Sequence, residues 1–389
     1  MAHIQKKCGR CRASLDEGSR TCGRCGSRRF AYIARYRTPD RAERSQAFPR
    51  KVDAERFAAN QEHRIASGTW IDPRRGQESL AEFYGRWRAG AEERSHPAPS
   101  TLAKYEGIWR LYVAPSLGGY PVANITRKDV RDLVTGASKR SPWQAREALK
   151  LVRMLLNLAL DDDLIGRNPA AGVPSPATER SPVRVLRPWE LEAVVANLPE
   201  RWRAFVVLGA YASLRWSELV AVKRDDIDVE ERTLRVDEKV VEVRGRFEWG
   251  RPKTRDSART VHLPKVAVRP LAGHLLRFPP LRGTEDPRWE GLVFYGKHKG
   301  PIRRHVFRPV WDRACRAARL EGVRPEWLRH TGASLAYAAS KDMKAVASRL
   351  GHTSTRMMDT VYVELYSEVS RQVADAIDAL VRESTRPGS

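Results

Sequence analysis

The chain has 389 residues, enough for two to four domains, which excludes a minimal disulfide-stapled module. Lys and Arg number 71 against 47 Asp and Glu, a net charge of +24, and 56 of those cations are Arg, whose planar fork matches phosphate oxygens. No apolar run reaches the roughly 18 residues of a membrane span and no signal peptide is evident, so the sequence predicts a cytoplasmic protein with no membrane contact and a polyanionic partner, nucleic acid first.

In chain order, the first feature is Cys8, Cys11, Cys22 and Cys25, two C-x2-C knuckles with glycine after three of the four. In a reducing compartment this spacing predicts a zinc-ribbon-like segment over 1–26, four thiolates closing a tetrahedral structural site. Residues 30–37 alternate Phe30, Tyr32, Ala34, Tyr36 against Ala31, Ile33, Arg35, Arg37, a strand that Thr38-Pro39-Asp40 turns into a hairpin. A helix over 52–67, stopped by Gly68, completes a small sheet-plus-helix domain at 27–75. Residues 1–75 carry a net +10, which suits a basic ribbon lying in a DNA groove.

From 76 to 172 the periodicity is helical. Ser79-x-x-Glu82 and Thr126-x-x-Asp129 are capping boxes, Ser100 is expected to cap a helix, and Ser141-Pro142 opens a long one. The aromatic stripes fall at helical spacing and read as core. A Pro- and Ser-rich linker follows at 173–182, then a last domain over 183–389: helices at 188–223, strand-like runs at 233–236, 239–243 and 259–263, and helices again. The fold class is therefore multidomain and mainly α with small β elements. Cys315 sits in a helical pattern and reads as a buried small hydrophobe.

Four stretches of the last domain place cations in helix and hairpin settings: Leu214-Arg215-x-x-Glu218-Leu219, a hairpin over 251–261 with Lys253 beside its turn, Leu328-Arg329-His330-Thr331, and Leu350-Gly351-His352 with Tyr362 ten residues on. Together and in this order they resemble the tyrosine recombinase family of bacteriophage integrases. The resemblance covers a catalytic domain at 183–365, a helical core-site-binding domain at 76–172 and an arm-site-binding domain at 27–73. It implies Arg215, Lys253, Arg329, His352 and Tyr362 as catalytic residues, with Glu218 supporting Arg215. One position departs: the family most often has His three residues before the second arginine, and here that residue is Glu326.

The chemistry is coherent. Rejoining DNA without an energy source needs a covalent intermediate that conserves the phosphodiester, and a tyrosine phenolate supplies it. Two arginines neutralise the developing charge and Lys253 protonates the departing 5′ oxygen, so catalysis needs no cofactor. Tyr366, one helical turn past Tyr362, competes as nucleophile, and Lys265 competes with Lys253. The resemblance further implies a homotetramer on double-stranded DNA carrying core and arm sites, with DNA-bending or directionality factors, in a bacterial host cell. The stripe Val369, Val373, Ile377 and Leu380 predicts a C-terminal helix that docks on a neighbouring protomer or on its own domain. Two rivals share parts of the sequence pattern: a strand-swivelling topoisomerase of type IB, and a catalytically silent DNA binder, for which Glu326 speaks.

Overall fold

The computed structural model describes residues 3–178 and 183–351, apart from 69, 71, 73–74, 95 and 252–256. The chain divides into two compact units, Met1–Glu179 and Arg180–Ser389. No described helix is long and apolar enough to cross a membrane.

The first unit opens with an antiparallel sheet of β1 (His3–Cys8), β2 (Ser14–Leu15), β3 (Phe30–Arg37) and β4 (Glu43–Phe48) in the order β2-β1-β3-β4. Helix α1 (Lys51–Ala66) packs on it, and Ala34, Ala54 and Ala58 form the buried centre with Ile4, Tyr32, Phe48 and Phe57 around them. Gly68, at φ +68, follows α1 in the left-handed region that glycine adopts without strain. The expected division between 26 and 27 runs through this sheet: β1 pairs with β3 from His3↔Arg35 to Cys8↔Phe30. The cysteine segment and the sheet are one module, because β1 finds its β3 partners 22 to 32 residues on. Lys6 fastens the intervening loop, its buried Nζ donating to the carbonyls of Glu17 (2.9 Å) and Ser19 (2.7 Å).

A helical bundle with its own core follows. Helix α2 (Leu80–Glu93) starts at the Ser79–Glu82 capping box and α5 (Arg127–Ser138) at the Thr126–Asp129 box. Helix α6 (Pro142–Asp161) is capped by Ser141 and buries Leu149, Val152 and Leu156. Helix α3 (Pro99–Ile108) begins before the expected cap: Ala98 precedes Pro99, and Ser100 lies inside the first turn. It continues through a π-helical turn at Trp109–Val113 into α4 (Ala114–Leu117). The aromatic stripes are core, with Tyr84 stacked on Trp109 at 4.0 Å between ring centroids.

The second unit begins with α7 (Pro188–Ala196), α8 (Glu200–Tyr211) and the short α9 (Trp216–Leu219). Next come β5 (Ile227–Asp228), β6 (Thr233–Val236), β7 (Lys239–Val243), β8 (Arg246–Gly250) and β9 (Arg259–His262), then α10 (Lys265–Arg277), α11 (Arg304–Ala317), α12 (Trp327–Ser340) and α13 (Met343–Leu350). Phe205 on α8 and Phe307 and Trp311 on α11 are fully buried at the centre. Cys315 is buried on α11, and desolvation pushes its thiol up to about 12. The expected hairpin over 251–261 is not formed by its flanking strands. β8 pairs with β7 and β9 with β6, so this segment connects two separate sheets.

Helices α8 and α12 pack at backbone distance. A Cβ on Gly332 would lie 1.8 Å from the Ala210 carbonyl oxygen and 2.5 Å from Ser213 Oγ, so only glycine fits.

Candidate active site

The site grows from the end of α8. Ser213, at φ +56, turns the chain so that Arg215 stands just ahead of α9. Glu218, one turn into that helix, accepts the Arg215 backbone N–H (2.9 Å) and its guanidinium Nη1 (2.7 Å). The same carboxylate meets Arg259 of β9, Nη2 to Oε2 at 3.0 Å, and Arg329 of α12, Nη1 to Oε2 at 3.6 Å. Side-chain exposure is 3% for Glu218, 7% for Arg259, 12% for Arg329 and 38% for Arg215. Arg215 thus presents the most solvent-facing guanidinium of this group. Burial pushes the Glu218 carboxyl up, but Arg259, the Arg215 N–H and Arg329 outweigh it and hold the group below the usual carboxylate range.

The arginines are also tied to the C-terminal turn of α13, whose carbonyls lack intrahelical donors. Arg329 donates to the carbonyls of Leu350 and Ser213, both at 2.7 Å, and Arg259 Nε donates to Arg349 O at 2.7 Å. Arg349 in turn donates to His262 O (2.9 Å) and Tyr211 O (2.7 Å). Gly351, at φ +64, ends α13, and a Cβ there would lie 3.2 Å from both Arg259 Nη1 and Ser257 Cα.

Of the residues expected from sequence, Arg215, Glu218 and Arg329 converge. Lys253, His352, Tyr362 and the competitor Tyr366 lie outside the described residues, as does the segment 364–382. Lys265 opens α10. Glu326 stands at the start of α12 and pairs with Arg304 of α11, Nη1 to Oε1 at 2.5 Å. Arg304 lies over the Trp216 ring, 5.3 Å from its centroid. Arg215, Trp216, Arg304, Glu326, Arg329 and His330 all line one cleft of about 790 Å³. Burial, then the Arg329 charge, lower the pKa of His330 and favour its neutral form.

Sequence reasoning passed over Arg259 and Arg349. A signal for Arg259 exists: it shares parity along the strand with Val261 and Leu263, both buried, so an inward-facing arginine was legible there.

In the first unit, the sulfurs of Cys8, Cys11, Cys22 and Cys25 lie within 4.8 Å of one another, with Cys8–Cys25 and Cys11–Cys22 at 3.5 Å. A tetrahedral zinc with bonds of about 2.3 Å needs sulfurs roughly 3.8 Å apart, so the donor set fits that ion. Backbone N–H groups of Cys11 and Arg10 lower the Cys8 thiol to about 6, favouring the thiolate a metal takes.

Residues 184–368 match the phage integrase family, and residues 79–137 match the N-terminal SAM-like domain of phage integrases. The chain belongs to the phage integrase family. It is a tyrosine-type site-specific recombinase. The recombinase is 28% identical over 349 residues to an integrase of Mycobacterium phage L5, covering 87% of this chain and 91% of that protein. It is 23% identical to the ICEBs1 integrase of Bacillus subtilis, covering 67% and 72%. Its multidomain, α-rich fold with small sheets is shared with the Tn1549 transposon integrase in complex with a circular intermediate DNA, at a TM-score of 0.65 and 17% identity over 76% of this chain and 99% of that one. A lambda integrase tetramer bound to a Holliday junction matches at a TM-score of 0.57 and 16% identity, over 88% and 97%.

Proposed function

We propose that this recombinase integrates and excises a phage or other mobile element through a 3′-phosphotyrosyl intermediate. Tyr362 Oη attacks the scissile phosphorus, the bond to the 5′ oxygen breaks, and Lys253 gives that oxygen a proton. The freed 5′-hydroxyl of one duplex then attacks the phosphotyrosine of its partner and releases the tyrosine, so one ester replaces another with no external energy. Arg215 and Arg329 hold the non-bridging oxygens with His352 beside them, and neutralise the charge that builds at phosphorus.

The observation that carries this reading is the fixing of Arg215 and Arg329 by the single buried carboxylate of Glu218, with both arginines lining one cleft. Preorganised cations of this kind are what a phosphoryl transfer without metal requires. A silent DNA binder has no need of them.

Residues 76–172 and 183–389 are assigned to the core site and 1–75, held by one structural zinc on the four cysteines, to arm sites. Four protomers act on two duplexes in the cytoplasm of a bacterial host, with bending or directionality factors assisting, and the apolar stripe over 364–382 docks on a neighbouring protomer or on its own domain.

The test uses full-length protein and a nicked core-site duplex taken from the ends of the integrated element. Tyr362→Phe abolishes the covalent adduct and keeps specific binding, whereas Tyr366→Phe does far less. The reverse ranking would shift the nucleophile by one helical turn.

A further inference from the structure

Glu326 poses an electrostatic problem, because a carboxylate on the wall of a phosphate-binding cleft raises the negative potential that Arg215 and Arg329 have to offset. The structure answers it with Arg304, whose guanidinium is held on two sides. Glu326 Oε1 takes Nη1, and the guanidinium lies over the Trp216 indole with its Cζ 5.3 Å from the ring centroid. Trp216 follows Arg215 directly in sequence, and Glu326 precedes Arg329 by three residues, so both supports belong to the segments that carry the arginine pair. Arg304 remains 54% exposed and Glu326 42%, and all of these groups line the same cleft.

We infer that Arg304 is a third phosphate-contacting arginine of this recombinase, presented to the scissile phosphate by Glu326 and Trp216 in place of the histidine that position 326 lacks. The inference rests on the proposed cleavage reaction. Three physical points support it. The Glu326–Arg304 pair is neutral as a unit, which removes the repulsion a lone carboxylate would impose. Glu326 occupies only one terminal nitrogen, leaving other N–H donors of the fork for a phosphate oxygen. An ion pair this exposed is weak, so an incoming phosphate competes for the guanidinium easily. Glu326 is accordingly a positioning residue, and Arg304 the group that touches substrate.

The experiment measures single-turnover strand cleavage by full-length protein on a core-site suicide duplex, with either a normal phosphodiester or a methylphosphonate at the scissile position. The methylphosphonate removes the charge that an arginine there neutralises. Arg304→Gln is expected to slow cleavage of the phosphodiester about tenfold to hundredfold, with binding changed by less than about threefold. On the methylphosphonate its deficit shrinks to less than about threefold. Glu326→Gln slows phosphodiester cleavage moderately, and adds nothing in the Arg304→Gln background because the two act as a unit.

An Arg304→Gln protein that cleaves both substrates at the wild-type rate overturns the inference, and so does an equal loss on both, which marks a structural role. A tenfold or greater gain on Glu326→His also overturns it, by showing that position 326 is an ordinary histidine site badly filled. Wild-type protein that cleaves neither substrate instead sinks the parent reaction, a result distinct from a defect confined to the variants.

Discussion

The cysteine module and the arginine site are both polar centres, yet they are held by opposite means. Around the four thiols, the adjoining sheet and helix contribute a buried apolar centre of Ala34, Ala54 and Ala58. The arginine site rests on an extensive core that includes Phe205, Phe307 and Trp311, and its cations are gathered by one carboxylate and the carbonyls of a helix end. Three alanines ringed by half-buried Ile4, Tyr32, Phe48 and Phe57 make a small core, so we expect the order of β1 to β4 to depend on a metal held by the four thiols. The described part of the second centre is held by protein groups alone.

Withdrawing metal should break that comparison most forcefully. We expect one zinc per chain, and chelation or the double change Cys8→Ser with Cys11→Ser should remove up to about 10 kcal/mol of folding free energy from the N-terminal module. Hydrogen exchange checks this: amides of β1 and β3 lose protection while those of α8 and α12 keep theirs. Retained protection in metal-free protein would show that the sheet stands alone.

The converse attack is Glu218→Gln, which leaves Arg259 and Arg329 against a neutral amide and should cost about 3–5 kcal/mol in urea unfolding of the second unit. Because the folded carboxyl titrates below its unfolded value, its contribution is present above about pH 4.3 and is lost as pH falls through the lower folded value. Wild type should therefore lose its advantage over Glu218→Gln only in acid. An advantage that instead disappears toward alkaline pH would contradict the ion-pair account.

The smallest effect separates local from collective stabilisation. Thr126→Ala removes the side chain that caps α5, and should lower stability by about 1 kcal/mol without touching metal content or strand cleavage.

What could be read from the sequence follows the range of the forces involved. The boxes at Ser79 and Thr126 were legible because their partners lie three residues away, and the cysteine spacing because each knuckle is local. The hairpin expected over 251–261 was misread because β8 and β9 take their hydrogen bonds from β7 and β6, which no local signal near 251 reports. The 26/27 division failed for the same reason, since β1 and β3 pair across a loop. Ser100 looked like a cap, but Pro99, which favours the first helical position, sets the start of α3. At the site, Arg215 and Glu218 stand three apart and were visible together. The Glu218–Arg259 contact spans 41 residues and the Arg304–Glu326 pair 22, distances at which only folding shows which of many arginines is the partner.

Gly332 touches none of the cleft, yet the approach of α12 to the end of α8 depends on its missing methyl, and Arg329 reaches the Ser213 carbonyl only across that gap. In a saturation library scored for recombination alone, position 332 would tolerate a single amino acid and rank beside the arginines. Scoring soluble yield in parallel separates the two kinds of intolerance: replacements at 332 fail both screens, while replacements at Arg215 fail only the first.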